Sequence, residues 1–184
     1  MNKLQNIIIQ LSLFAFLLMG GVLLYSAVSG KQLSVTGQTT EYNAYDDGTY
    51  QAGINFPSTR FFDNGDGTVI DNMTGLMWLQ SPDSITRNWE TAIAYCDDLN
   101  YAGHSDWRLP SINELETLKN YSQGVYINWL NSQGFTDIQL GFYWSSTTAT
   151  SLNNNSAWCI AGYVSYIYSK VDYYYVLPVR TAAP

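Results

Sequence analysis

Apolar residues recur at helical spacing at Trp89, Ala92, Ile93, Cys96 and Leu99. Positions three and four apart share one face of a helix, so a helix is predicted to start near Asn88. Asp97 and Asp98 then lie toward solvent, and Gly103 ends the segment. A second helix is announced by Ser111-Ile112-Asn113-Glu114, a capping box in which Ser111 bonds the amide three residues on and Glu114 reaches back. Leu115 and Leu118 supply its short apolar face, and Pro110 keeps the preceding chain extended. Upstream, residues 60–63 and 68–71 flank Asn64-Gly65-Asp66-Gly67, whose Asn-Gly and Asp-Gly pairs tolerate the positive φ of a tight hairpin. A second turn at residues 72–75 leads into Leu76-Met77-Trp78-Leu79. From Phe142 onward the pattern is of short strands, at 142–145, 157–161, 164–168 and 174–179. Val164 is out of step with Ile167, which predicts a bulge or turn between them. Trp78, Trp89, Leu99, Leu115, Trp144 and Trp158 are the expected core. Two helices among strands, with no β-α-β rhythm, indicate the α+β class.

The N-terminus has a different pattern. Lys3 is followed by an almost unbroken apolar run over residues 7–28, which is a secretory signal or an uncleaved membrane anchor. The single cation and the small residues Ala27 and Ser29 favour a signal cleaved before Gly30. The length of the run, enough to span a bilayer, favours an anchor. No cysteine stands near its exit, which excludes a lipoprotein anchor. Either way the body is expected outside the cytoplasm, as a secreted, periplasmic or cell-surface protein, touching membrane only through this segment if it is uncleaved. The organisation expected is 1–29 signal or anchor, 30–56 an extended Gly/Thr/Ser/Gln/Asn-rich arm, and 57–184 one domain.

Charge narrows the function. The 184-residue chain carries a net charge of −7, and only 12% of its residues are charged. Binding to nucleic acid needs clustered Lys and Arg, so it is excluded as a function. The two cysteines, Cys96 and Cys159, sit in an exported body, where one disulfide is the expectation and two buried thiols the alternative. Asp63, Asn64, Asp66 and Asp71 offer oxygens for calcium, but an EF-hand alignment puts Phe62 and Met73 at its first and twelfth positions. Turn chemistry explains the same residues, so no cofactor or metal is expected, with calcium left as an alternative the sequence does not support. The single histidine, His104, lies in a Gly-His-Ser turn without the partners of a catalytic triad. Asp97 with Asp98, and Glu114 with Glu116, fit helix-surface and capping roles. Arg108, in Asp106-Trp107-Arg108, is expected to form a buried ion-pair lock between the helices, with a ligand contact as the alternative.

The C-terminal third has its own composition. Between Gly141 and Arg180 the charged residues are Lys170, Asp172 and Arg180, while six tyrosines fall between Tyr163 and Tyr175. Tyr offers rigid contact area and Ser and Asn add adaptable hydrogen bonds, which is the chemistry of a binding surface. The expected contact residues are Tyr163, Ser165, Tyr166, Tyr168, Tyr173 and Tyr174, with the loop Asn153, Asn154 and Asn155.

Several motifs occur in a telling order: Arg60-Phe61 with Asp63-Asn64-Gly65-Asp66-Gly67-Thr68-Val69, Asp71 with Thr74-Gly75-Leu76-Met77-Trp78, Asp106-Trp107-Arg108-Leu109-Pro110 with Glu114-Leu115, Tyr143-Trp144-Ser145-Ser146-Thr147, Ala157-Trp158 and Val179-Arg180. In these the chain resembles the Lcl C-terminal domain family of bacterial exported proteins. The resemblance implies a C-type-lectin-like fold, with two helices flanking a small, twisted, mainly antiparallel sheet. It does not imply a lectin calcium site, because the Glu-Pro-Asn and Trp-Asn-Asp signatures are absent. Asp106, Trp107, Arg108, Trp144, Trp158 and Arg180 become framework positions. Relatives include adhesins for host glycans and surface receptors diversified by retroelements, which load chosen positions with Asn, Tyr, Ser, Asp and Thr. The function expected is therefore non-enzymatic binding or adhesion to a protein or glycan at the cell surface, with genetic diversification of the Tyr/Asn positions left open. The alternatives are a structural subunit of a surface appendage and a hydrolase acting on cell-wall or glycan material.

Overall fold

The computed structural model describes residues 33–150 and 154–182. The N-terminal segment 1–29 and Asn153 lie outside the described residues. Among the described residues no helix is long and apolar enough to cross a membrane.

Two antiparallel sheets organise the chain. The first has the order β1-β2-β3-β7, built from β1 (Phe61–Asp63), β2 (Thr68–Asp71), β3 (Leu76–Leu79) and β7 (Val179–Thr181). The turns predicted at residues 64–67 and 72–75 set its register, with Val69 opposite Trp78. The polar residues of the first turn are spent on the turn itself. Asp63 Oδ1 accepts from Gly65 N–H, and Asp66 Oδ1 accepts from the amide and hydroxyl of Thr68. The second sheet has the order β4-β5-β6, from β4 (Tyr143–Thr148), β5 (Ser156–Ala161) and β6 (Val164–Ser169). Together with the helices this is a small α+β protein.

The helices form where local chemistry allows. A four-residue α1 (Asp47–Tyr50) is capped by Asp46. In α2 (Trp89–Asp97), Asn88 caps the Thr91 amide and the face carrying Ala92 and Cys96 is buried. The capping box of Ser111 and Glu114 opens α3 (Ile112–Thr117), which buries Leu115. Sequence reasoning passed over α4 (Tyr126–Ser132), because Val125 provides no side-chain cap and only Tyr126, Trp129 and Leu130 mark its buried face.

Both faces of the second sheet are covered at β4 and β5. Tyr143 pairs with Ile160, and both belong to a core shared with Trp78, Leu115, Trp129 and Phe135. Trp144 pairs with Cys159 on the opposite face, in a cluster with Ala92, Cys96 and Val176. Apolar identity therefore does not reveal which face a residue takes. No bulge separates Val164 from Ile167, and the β5–β6 register runs unbroken from Ala161↔Val164 to Ser156↔Ser169. The irregularity falls in β4 instead, between Trp144 and Thr148. Of the expected core, Trp78, Leu115 and Trp144 are buried, whereas Trp89, Leu99 and Trp158 are half-buried. Cys96 and Cys159 are free thiols, which corrects the expected disulfide. Both sit as small apolar side chains in the cluster under Trp144, and burial pushes each thiol up to about 12.

The arm expected at 30–56 is not a detached linker. From Ser34 onward it belongs to the same unit as the sheets. Val35 N–H donates to Ile54 O, and Thr36 O accepts from Tyr121 N–H.

Candidate binding face

The hairpin of β5 and β6 carries most of the expected contact residues. Gly162, with φ of 58°, takes the first central position of its two-residue turn, where a side chain would be strained. Strand alternation then sends successive residues of β6 to opposite faces. The expected set is divided as a result.

Tyr163 and Ser165 turn toward α3 and the loop after it. The Tyr163 hydroxyl lies 2.9 Å from the carbonyls of Asn120 and Gln123, and its ring packs on Tyr121 and Tyr126. Ser165 donates its hydroxyl to Glu116. Lys119 is buried beside them, with Nζ 2.6 Å from Glu116 Oε2, and it donates to Tyr163 O at 3.1 Å. These contacts hold the hairpin to the helix, so Tyr163 and Ser165 are fastenings of the fold.

Val164, Tyr166 and Tyr168 share the other face. Phe142, which the sequence reading did not single out, is the hub there, with ring centroids 5.3 Å from Tyr166 and 4.9 Å from both Tyr168 and Tyr174. Tyr174 also packs at 4.7 Å on Trp144, and burial pushes its hydroxyl up to about 12. The signal for Phe142 was its alternation with Trp144 along β4. Tyr168 and Tyr174 are half-buried supports, whereas Tyr166 is 37% and Val164 50% exposed. Tyr173 and Val171 are more exposed still, on the turn after β6. Asn155 O accepts from Lys170 N–H, which ties the exposed Asn154–155 loop to that turn. Lys170, also missed from sequence, stands 3.8 Å over the Trp89 ring and donates to Thr148 Oγ1 at 2.9 Å. The exposed groups are thus Val164, Tyr166, Val171, Tyr173, Asn154 and Asn155.

Framework positions are locked by ion pairs, in a different arrangement from the one expected. Arg108 does pair with a carboxylate, at 2.6 and 2.8 Å from Glu114, but its side chain is 45% exposed, so the lock is not buried. Burial opposes the Glu114 charge, yet Arg108 and the Ser111 amide hold its carboxyl below the usual value. Asp106 pairs instead with Arg180, which is buried, and that guanidinium lowers the Asp106 carboxyl. Trp107 is buried and donates to Tyr101 O, and Trp144 donates to Arg87 O. The deepest pair is Arg60 with Asp71, joined by two bonds of 3.1 and 3.0 Å. His104 closes a small turn by exchanging backbone bonds with Tyr101.

The family model described as the Lcl C-terminal domain matches residues 67–180, more than half of the chain. No curated protein matches the sequence.

Proposed function

Since the chain belongs to the Lcl C-terminal domain family, we propose that it is an exported, non-enzymatic domain that binds a protein or glycan at the cell surface. The observation that carries this reading is the sparsely charged aromatic surface on and beside β6, where Lys170 and Asp172 are the charges. Tyr166 and Tyr173 stand exposed there at 37% and 63%, next to exposed Val164 and Val171. Exposed aromatic and apolar groups gathered in one region are characteristic of partner-binding surfaces. Supporting carboxylates point the same way. Asp71, Asp83, Asp106 and Glu114 each engage an arginine, which suits framework roles better than acid–base chemistry across a cleft. The proposed scaffold is of the C-type-lectin-like kind. In its favour, β1 and β7, the first and last strands, lie in one sheet with α2, α3 and α4 between them in sequence.

The test is the full chain carrying Tyr166→Ala and Tyr173→Ala, offered to immobilised glycans and surface proteins beside the parent. The expected result is a cooperatively folded protein, its melting temperature lowered by no more than a few degrees through the lost Tyr166–Phe142 contact, that no longer binds. Retained binding would overturn the assignment of these residues.

A further inference from the structure

The two edges of the β4-β5-β6 sheet are treated differently. The β4 edge is closed by the chain itself, because Trp144 N–H donates to Tyr175 O at 3.0 Å and Tyr175 N–H to Phe142 O at 2.9 Å. Strand β6 pairs with β5 on one side only. Register decides which of its backbone groups are free. The Lys170 N–H to Asn155 O bond continues the β5–β6 ladder, so 155 and 170 form a hydrogen-bonded pair. Such pairs alternate with non-bonded pairs along an antiparallel ladder. Val164, Tyr166 and Tyr168 therefore turn their backbone groups to β5, while Ser165 and Ile167 turn theirs outward. Among the described residues the outward groups of Ser165 and Ile167 meet no backbone partner.

An open edge is ordinarily guarded by a lysine, a proline, a bulge or a covering segment. The six residues Val164-Ser165-Tyr166-Ile167-Tyr168-Ser169 contain no proline or charge, and their register is regular. They sit within an uncharged stretch running from Gly141 to Ser169, on a chain of net charge −7. Two copies repel each other through most of their acidic surface, whereas at this strand the charges in reach, Glu116 and Lys119 against Ser165 and Tyr163, neutralise each other.

We propose that the β6 edge is a self-association surface, at which a second copy of this chain pairs its own β6 antiparallel about a two-fold axis through Tyr166. Ser165 of each copy exchanges both backbone bonds with Ile167 of the other. Tyr166 meets its counterpart in a non-bonded pair, where facing side chains come closest. Lys170 falls opposite Gly162 of the second copy and confronts no like charge there. The two sheets become one, with their Tyr166 faces side by side. This pairing requires no ligand, so it stands or falls separately from the binding reading.

The test uses the full chain, with the apolar segment 7–28 common to every variant. Ile167→Pro deletes an outward N–H but spares the β5 ladder, since Ile167 and Trp158 form a non-bonded pair. By sedimentation over a range of concentrations, the parent is expected to dimerise and Ile167→Pro to dimerise at least about tenfold more weakly, as loss of edge bonding implies. Tyr166→Cys should form a disulfide-linked dimer under mild oxidation. Val164→Cys, which faces Tyr168 of the second copy, should not. A parent that stays monomeric, undiminished dimerisation of a folded Ile167→Pro, or equal cross-linking of the two cysteine variants would each overturn the proposal. Should Ile167→Pro fail to fold, the cysteine pair decides. A monomeric chain whose β6 amides become protected only when an extended foreign peptide is added would also overturn it.

Discussion

The Arg60–Asp71 pair is the point where one small substitution should cost the most. Asp71 is fully buried and Arg60 nearly so, at 0% and 5% exposure. The carboxylate accepts from Arg60 Nε and Nη2 and from the Met73 amide at 3.0 Å. The guanidinium also donates to Thr117 O and lies 4.6 Å from the Phe61 ring centre and 4.7 Å from that of Phe56. Asp71→Ala leaves this cation enclosed by rings with no counter-charge, and removing one partner of a buried pair costs about 3–5 kcal/mol. A domain of this size has about 5–15 kcal/mol in total, so the loss is a large fraction. With a urea slope of about 1–3 kcal/mol/M, the unfolding midpoint should fall by roughly 1–5 M, or about 2 M at the middle of both ranges. Removing both charges, in Arg60→Met with Asp71→Ala, should recover part of the loss, because no unpaired cation is then left buried. Recovery stays incomplete, since the Met73 amide loses its acceptor. Urea unfolding of the parent, both single variants and the double variant measures the cycle. A cost below about 1 kcal/mol for Asp71→Ala, or a double variant less stable than that single one, would refute the reasoning.

Further outcomes follow from other parts of the fold. Cys96 and Cys159 should be unreactive toward a thiol reagent in the native chain at pH 8, and both should react once it is unfolded; a native chain without titratable thiols after denaturation would restore the disulfide. Tyr163→Phe deletes the hydroxyl that ties the hairpin to the carbonyls of Asn120 and Gln123, and should cost about 1 kcal/mol in urea unfolding. Asp83, Asp106 and Glu114 have carboxyls held below their ordinary values. Their contribution to stability is therefore complete above the ordinary carboxylate range and is lost as pH falls through the lowered values, so melting temperature should hold down to about pH 5 and decline below about pH 4. N-terminal sequencing of protein recovered from its native source should find a start near Gly30 if the signal is cleaved.

Local chemistry made much of the fold legible. The hairpin at Asn64–Gly67, the Asn88 cap and the Ser111–Glu114 box are written within a few residues, and each forms as expected because a turn or cap is satisfied by its own neighbours. The helix at Tyr126 was not legible, because it carries no cap and derives its burial from Phe61 across the core, 5.9 Å from Trp129. The binding face was legible as a composition but not as a surface. Composition grouped six tyrosines together, and the fold sorted them by what lies opposite.

What the sequence alone determined is the α+β class, the family, the positions of the turns and caps, and the sparsely charged, aromatic character of the last third. Those properties depend on residues close together in the chain. Only the tertiary structure decided that Asp106 belongs to Arg180 and not to Arg108, that Cys96 and Cys159 share a cluster as thiols, and that Tyr163 is a fastening while Tyr166 is free. The physical reason is common to all three. A strand shows a residue's alternation but not which of two covered faces it enters, and an ion pair shows its charge but not its partner, until distant segments are packed against one another.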